Sequence, residues 1–260
     1  MSGAALQEVA GYLDEYLRVR EVPDSANAVN GLQVENGGRI ARIVAAVDAS
    51  LATIAAATEG DGPALVLVHH GLFWDGNVPV TGRRFRRLRT LLSADAALYA
   101  AHLPLDVHPE VGNNVVLAER LGLVVDGWWG DYRGVPIGVL GHAPAALSHR
   151  PQLIREIELA LGVDADAIHL VPGGPDFLRR IGIVTGAGGS MIQAARDAGL
   201  DTLITGEGAH HTYFDAMEWG LNVIYAGHYA TETLGVQALA SHLADRFDLP
   251  WDFHDHPTGL

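Results

Sequence analysis

The chain has 260 residues, of which 48% are apolar, and its formal net charge is −14. Cysteine is absent, which excludes disulfides, thiolate metal sites and a cysteine nucleophile. Lysine is absent too, so there is no Schiff-base lysine and no P-loop lysine. The 13 histidines and the carboxylates remain as metal ligands, a set that suits zinc, iron or manganese. The acidic balance disfavours general nucleic-acid binding.

The N-terminal segment carries acidic residues and lacks a long apolar core, so no signal peptide is expected. No apolar run reaches the ~18 residues that a membrane span needs. We therefore expect a soluble cytoplasmic protein that is long enough to bury a full core.

Apolar periodicity and turn signals predict strands and helices in alternation. Predicted helices cover residues 4–18, 50–57, 115–121 and 147–161, with others opening at Gly82, running through Trp219, and continuing from the His228 segment to about Phe247. Predicted strands cover residues 40–47, 64–68, 96–101, 135–140, 179–185, 202–205 and 223–226. This pattern indicates an α/β protein with mainly parallel or mixed sheets.

The chain is predicted to form two α/β lobes. The Gly-Trp-Trp-Gly-Asp segment at residues 127–131 is interpreted as their boundary, with one lobe over residues 1–125 and the other over residues 134–260. The C-terminal helix is a candidate to pack with the first lobe, and no inserted middle domain is expected.

Four arginines lie within residues 83–87, at the start of a predicted helix. One interpretation is a solvated or subunit-facing helix that turns Phe85, Leu88 and Leu92 inward. The other is an anion clamp for a phosphate or carboxylate of a substrate. The glycine-rich turn at residues 186–190 is interpreted as tight helix-on-sheet packing rather than a phosphate cradle. His254 and His256 are interpreted as solvated tail residues.

Histidines 69 and 70 follow the apolar run 64–68, which is typical of a buried parallel strand. Ligands of open α/β sheets bind at the carboxyl ends of strands. Because consecutive residues of an extended chain point to opposite sides, the two imidazoles favour two different ions over one. Each histidine alone is also compatible with a structural, hydrogen-bonded role.

Two further strand ends supply carboxylates and another imidazole. Asp106 follows the predicted strand 96–101, and His228 and Glu232 stand four apart at the start of a helix, on one face. Either carboxylate is able to bridge two ions. Two divalent ions about 3.5–4 Å apart would acidify a bound water and clamp both oxygens of a displacement. The sequence thus predicts a dinuclear centre in a pocket where the lobes meet.

Four segments occur together and in order: Asn30–Glu35, His69–Trp74, His102–Asn114 and Gly227–Glu232. With them the chain closely resembles the short form of the Nif-three-like family, whose members are often labelled GTP cyclohydrolase I type 2 homologues. The resemblance implies a two-lobed α/β fold, a homohexamer built as a trimer of dimers, and a dinuclear metal site. It places the ligands on His69, His70, Asp106, His228 and Glu232, with the glutamate bridging.

Two segments depart from similar chains. Residues 206–211 vary among family members, and here they add paired histidines near the site. Asp75 stands where a basic residue is common, which leaves the charge preference of the pocket open.

The main functional hypothesis is a metal-dependent hydrolase of a small nucleotide-like or phosphorylated molecule, with His102, Glu207 and His210 as candidate proton shuttles. The alternative is a non-catalytic metal-binding or regulatory scaffold. A ring that threads nucleic acid is a third hypothesis, and the overall acidity counts against it.

Overall fold

The computed structural model of the protein describes residues 3–259, so residues 1, 2 and 260, at the ends of the predicted lobes, lie outside it. The chain divides into two compact units, and each holds its own sheet. Unit 1 comprises the residues up to Leu105 together with Val236–His256, and unit 2 comprises Asp106–Gly235 and Pro257–Leu260. None of the helices among the described residues is both long enough and apolar enough to cross a bilayer.

The first part of the chain alternates strands and helices as predicted. Its elements are β1 (Ala4–Ala5), α1 (Leu6–Tyr16), β2 (Gly31–Val34), β3 (Arg39–Ile40), β4 (Arg42–Asp48), α2 (Leu51–Ala57), β5 (Ala64–His70), α3 (Gly82–Ser93), β6 (Ala97–Ala100) and α4 (Leu103–Asp106).

The second part continues the pattern and ends in one strand that belongs to unit 1. Its elements are α5 (Asn113–Arg120), β7 (Val124–Tyr132), β8 (Val135–His142), α6 (Arg150–Leu161), β9 (His169–Pro172), β10 (Arg180–Val184), α7 (Ile192–Asp197), β11 (Thr202–Thr205), α8 (Thr212–Trp219), β12 (Asn222–Tyr225), α9 (His228–Phe247) and β13 (Trp251–Phe253).

The main sheet of unit 1 has five strands in the order β13-β4-β5-β6-β2. The first four run parallel, and β2 pairs antiparallel with β6. Strand β5 is buried along nearly its whole length, which explains its unbroken apolar run. Because β4, β5 and β6 are parallel, their carboxyl ends meet at one edge of the sheet.

The sheet of unit 2 has six strands in the order β7-β8-β10-β11-β12-β9. Its centre, β10, β11 and β12, is parallel, while β8 and β9 pair antiparallel on either side of that centre. The expected α/β class with mixed and parallel sheets is therefore confirmed.

The predicted starts of two helices are confirmed. Ser50 caps α2, because its side chain accepts a hydrogen bond from the Thr53 amide. The predicted last helix forms as α9, which begins at His228 and runs for 20 residues.

The interpretation of residues 127–131 as a boundary is wrong. These residues lie within β7, which forms a long hairpin with β8, and Trp129 is buried with its indole donating to the Val139 carbonyl. The division between the units falls after Leu105 instead. Helix α5 accordingly belongs to unit 2, where Leu117 and Ala118 join an apolar core cluster.

The predicted inward face of α3 is wrong for Phe85 and Leu92, although Leu88 packs against the core as expected. Phe85 and Leu92 are exposed by 46% and 63%, whereas Arg84 and Leu91 are buried. Arg84 tolerates burial because its guanidinium donates to the Gly76 and Val78 carbonyls and pairs with Asp75. Hydrogen bonds from the two terminal guanidinium nitrogens thus compensate for burying this charge on α3.

Candidate metal centre

Three imidazoles converge at the carboxyl edge of the unit 1 sheet. His69 and His70 end β5, and His102 follows β6. The ring centroids of His69 and His102 are 4.9 Å apart, and those of His70 and His102 are 5.6 Å apart. One potential ligand atom from each ring lies within 4.8 Å of the others. We refer to His69, His70 and His102 as the histidine cluster.

Each ring of the histidine cluster uses Nδ1 to bond an oxygen. The acceptor is the Ala101 carbonyl for His69, at 2.8 Å, and the Asp48 carboxylate for His70, at 2.9 Å. For His102 it is the Asp24 carboxylate, at 2.9 Å. An Nδ1–H donor fixes the tautomer in which Nε2 carries the lone pair that binds a metal. The tautomer of each ring therefore presents Nε2 as the potential metal ligand.

Asp24 lies in the segment after α1 and anchors the loop that carries His102. Its carboxylate also accepts from the Asn30 side chain at 2.8 Å and from the Leu103 amide at 3.0 Å. Burial alone would raise the pKa of Asp24, but the hydrogen bonds and charge of His102, with the Asn30 and Ser25 donors, lower it on balance. Asp24 is thus held as an anion beside His102.

Gln33 on β2 fixes the turn after the paired histidines. Its amide oxygen accepts from the Leu72 backbone at 2.8 Å, while its nitrogen donates to the Ala28 and Val29 carbonyls. A Cβ at Gly71 would collide with this amide. The glycine of the His-His-Gly segment therefore leaves room for the Gln33 amide, which a larger residue would displace.

In unit 2, Asp106 is positioned by an asparagine. The Asn113 side chain donates to Asp106 Oδ1 at 2.8 Å and accepts from the Gly235 amide of α9 at 2.6 Å. Asn113 is fully buried, and Gly235 has no room for a Cβ against it. One amide side chain thus links the Asp106 carboxylate to α9.

The first turn of α9 presents the predicted i,i+4 pair. His228 Nε2 lies 3.1 Å from Glu232 Oε2, and His228 Nδ1 lies 2.9 Å from Glu207 Oε1. The hydrogen bond with Glu232 is the main cause that raises the pKa of His228, to about 9, with Glu207 adding to it against the effect of burial. Without a metal, the imidazole is therefore protonated at neutral pH between two carboxylates.

Two glycines at the ends of β10 and β11 make room for this pair. Gly186 has a positive φ of 66°, and a Cβ there would collide with Glu232 Oε1. A Cβ at Gly206 would lie 2.7 Å from the His228 Cα. The glycine-rich turn interpreted from sequence as packing therefore also borders the carboxylate.

Both units contain predicted site residues. Unit 1 brings His69, His70 and His102 together, and unit 2 brings His228, Glu232 and Glu207 together. Among the proton-shuttle candidates, His210 is exposed on the surface with its ring against Phe214. Sequence reasoning missed the residues that orient the ligands, namely Asp24, Asn30, Gln33, Asp48 and Asn113.

Asp75, which stands where a basic residue is common in similar chains, pairs with two arginines. It pairs with Arg84 and, at 3.2 Å, with Arg83, both from α3. The Arg84 hydrogen bond is the main cause that lowers the pKa of Asp75. The negative charge of Asp75 is thus offset within unit 1.

These features define a class: an α/β protein of two units whose parallel strand ends carry imidazole and carboxylate groups able to hold metal. The family profile DUF34/NIF3 (NGG1p interacting factor 3) matches residues 4–257. The chain belongs to this family, as the resemblance of its four segments predicted.

Relatives and solved structures agree along the whole chain. A Deinococcus radiodurans protein named GTP cyclohydrolase 1 type 2 homolog is 45% identical, covering 97% of this chain and 94% of its own. A Halobacterium salinarum protein of the same name is 43% identical, covering 98% and 99%. The crystal structure of a Thermus thermophilus protein, 42% identical, aligns with a TM-score of 0.86 over 99% of this chain and 100% of its own.

Proposed function

We propose that the protein binds two divalent cations through His69, His70, Asp106, His228 and Glu232, and hydrolyses a small nucleotide-like or phosphorylated molecule. Glu232 is the proposed bridging ligand. The observation that carries the proposal is the shared hydrogen bonding of Nδ1: in each of His69, His70 and His228 this atom meets a carbonyl or carboxylate oxygen within 2.9 Å.

Such outer partners are what metal-ligating histidines need. An acceptor at Nδ1 fixes the ring orientation and raises the basicity of Nε2. The donor set of three imidazoles and two carboxylates fits zinc, iron or manganese, since each accepts mixed nitrogen and oxygen ligation. The residues present therefore fit a pair of such ions.

A bound pair of divalent ions would supply Lewis acidity and lower the pKa of water. The chain itself supplies positioning. Asp48 and Glu207 hold the rings of His70 and His228, and Asn113 holds Asp106. His102, anchored by Asp24, places a further imidazole beside His69 and His70, where it is able to exchange a proton with a substrate.

The substrate class rests on the relatives, several of which are named GTP cyclohydrolase 1 type 2 homolog. We take that name as support for a nucleotide-like ligand, although family membership alone does not fix a reaction. The homohexamer implied by the resemblance is likewise proposed, and native mass spectrometry tests it directly.

The test compares metal-loaded wild type with Glu232→Ala against GTP, other nucleotides and small phosphate esters. We expect turnover by wild type only, and reduced metal content in the variant. Equal turnover by the two proteins would exclude metal catalysis at this site. Two tightly bound ions with no turnover of any compound would instead favour the non-catalytic scaffold.

A further inference from the structure

A cavity of about 390 Å³ in unit 2 opens between the turn after β10 and the turn after β11. Hydrogen bonds hold these two turns together. The Gly206 and Glu207 amides both donate to the Gly186 carbonyl, at 2.9 and 3.0 Å, and the Gly189 amide donates to the Glu207 carbonyl at 3.0 Å. Because its amide and its carbonyl are both bonded, Glu207 has a fixed backbone on the wall of this space, which we call the Glu207 cavity.

Small residues leave much of the wall of the Glu207 cavity to the backbone. A Cβ at Gly189 would lie 2.4 Å from the Gly208 Cα, and a Cβ at Gly208 would lie 2.6 Å from the Tyr225 ring. The Thr212 hydroxyl, which also borders the space, is already bonded to the Tyr225 hydroxyl. The volume falls within the range of about 300–1,000 Å³ that is usual for small-molecule sites. The two turns thus leave a space that is open to a small molecule.

Three polar side chains on the wall are open to a ligand. Ser190 and His211 are exposed, and the side chain of Glu207 is 49% exposed. One carboxylate oxygen of Glu207, Oε1, is bonded to His228 Nδ1 at 2.9 Å. A carboxylate has about four lone-pair sites, so Glu207 is able to accept from further donors while it holds the His228 ring.

The charge of Glu207 decides which kind of group the cavity accepts. A carboxylate only accepts hydrogen bonds, and it repels anions. A second carboxylate is close, because Glu232 Oε2 lies 3.1 Å from Nε2 of the same His228 ring. A phosphate is therefore disfavoured here, and a neutral donor such as a hydroxyl is favoured. Serine and neutral histidine both donate and accept, as sugar hydroxyls do.

The order of these groups along the sheet matches one solution for binding ribose. Strands β10 and β11 are parallel neighbours, the glycine-rich turn follows β10, and Glu207 follows β11. In dinucleotide-binding α/β sheets, an acid that follows the glycine-rich turn by about 20 residues accepts from a ribose hydroxyl. The glycine spacing at residues 186–190 differs from the dinucleotide fingerprint, so only the sugar contact is comparable.

We propose that the Glu207 cavity binds the ribose hydroxyls of a nucleotide ligand. Glu207 accepts from the vicinal hydroxyl pair, and Ser190 and His211 complete the hydrogen bonds around the sugar. The inference rests on the proposed function, since it names the sugar subsite of the ligand that meets the candidate metal ligand His228. Glu207 thus serves twice, as the partner of the His228 ring and as the group that distinguishes a ribose from a deoxyribose.

The experiment titrates metal-loaded protein by calorimetry with guanosine 5′-monophosphate and with its 2′-deoxy analogue. The readout is the ratio of the two affinities, because loss of a metal or phosphate contact weakens both nucleotides alike. Glu207→Gln removes the charge, and Ser190→Phe fills the cavity. His211→Ala is matched by His210→Ala, since the neighbouring His210 does not line the cavity. Metal content is measured for every protein.

We expect wild type to bind the ribonucleotide about 10- to 100-fold more tightly than the deoxynucleotide, the range for a hydrogen bond to a charged group. Glu207→Gln should bring this ratio close to one. Ser190→Phe should weaken the ribonucleotide by more than about 10-fold. His211→Ala should weaken it about 3- to 10-fold, whereas His210→Ala should bind as wild type does.

Equal affinities of wild type for the two nucleotides would overturn the inference, and so would a failure to bind either. A ribose preference that survives in both Glu207→Gln and Ser190→Phe would also overturn it, because the sugar would then bind elsewhere. Failure of the proposed function looks different: wild type would retain no metal or turn over no compound, while the ribose preference and its loss in Glu207→Gln would persist.

Discussion

The two units hold their candidate metal-binding groups in opposite ways. In unit 1 the histidine cluster points each Nδ1 at an oxygen of its own sheet edge or of the Asp24 loop, so its rings are oriented without any cation. In unit 2 His228 lies between Glu207 and Glu232, and its raised pKa of about 9 makes it a cation itself. A proton there would compete with any metal ion for the His228 imidazole.

The candidate ligands of unit 1 are thus oriented in advance, whereas in unit 2 a proton on His228 balances the charge of the neighbouring carboxylates. Preorganised ligands bind without competition, whereas a compensated set must first release its proton. Removing groups from each set should therefore produce different losses, and the following changes test that contrast.

Glu232→Gln should have the largest effect. It removes both the proposed bridging ligand and the partner of His228, so metal affinity should fall by more than about 100-fold. Metal content after dialysis measures this. Glu218→Gln, an exposed change on α8, is the control and should retain wild-type metal content.

Asn113→Ala should lower the free energy of unfolding of the metal-free protein by about 2–4 kcal/mol, because it leaves the buried Asp106 carboxylate and the Gly235 amide without this partner. Urea denaturation measures the change. Asn77→Ala, at an exposed position, should be close to neutral. Comparable losses for the two variants would show that the Asn113 link contributes little.

Asp48→Asn should test the preorganised set alone. The ring of His70 would keep a neutral acceptor but lose the carboxylate, so metal affinity should fall by about 10- to 100-fold while stability changes less. Competition with a chelator measures the affinity. The exposed Asp61→Asn is the matched control. An equal metal affinity for both variants would show that Asp48 does not support metal binding.

The smallest effect is the pH dependence of the metal-free protein. Since the folded-state pKa of His228 is raised to about 9, its ion pair contributes fully below the ordinary pKa of 6.5 and is lost as pH rises through about 9. The urea midpoint of wild type should therefore decline across this window. His228→Gln should flatten the decline, whereas the surface change His210→Gln should leave it unaltered.

Much of the secondary structure could be predicted from the sequence because the signals for it are local. An unbroken apolar run predicted β5, and a serine cap predicted the start of α2. Parallel strands bring their ends to one edge, which is why His69, His70 and His102 could be expected near one another.

The missed features depend on contacts between distant residues. Asp24 meets His102 and Asn113 meets Gly235 across 78 and 122 positions, and no spacing rule records such pairs. The inward position of Arg84 was missed because the carbonyls that accept its hydrogen bonds lie outside α3. The boundary was misplaced because the apparent linker at Trp128 and Trp129 lies in the β7–β8 hairpin.

The three anchors of the histidine cluster are chemically unequal. The main-chain carbonyl bonded to His69 Nδ1 is a weaker acceptor than the carboxylates of Asp48 and Asp24, which are bonded to His70 and His102. The latter rings consequently gain imidazolate character and donate more electron density through Nε2. If two identical cations were bound, one through His69 and one through His70, they would therefore differ in electrophilicity, and the pair would be polar from one end to the other.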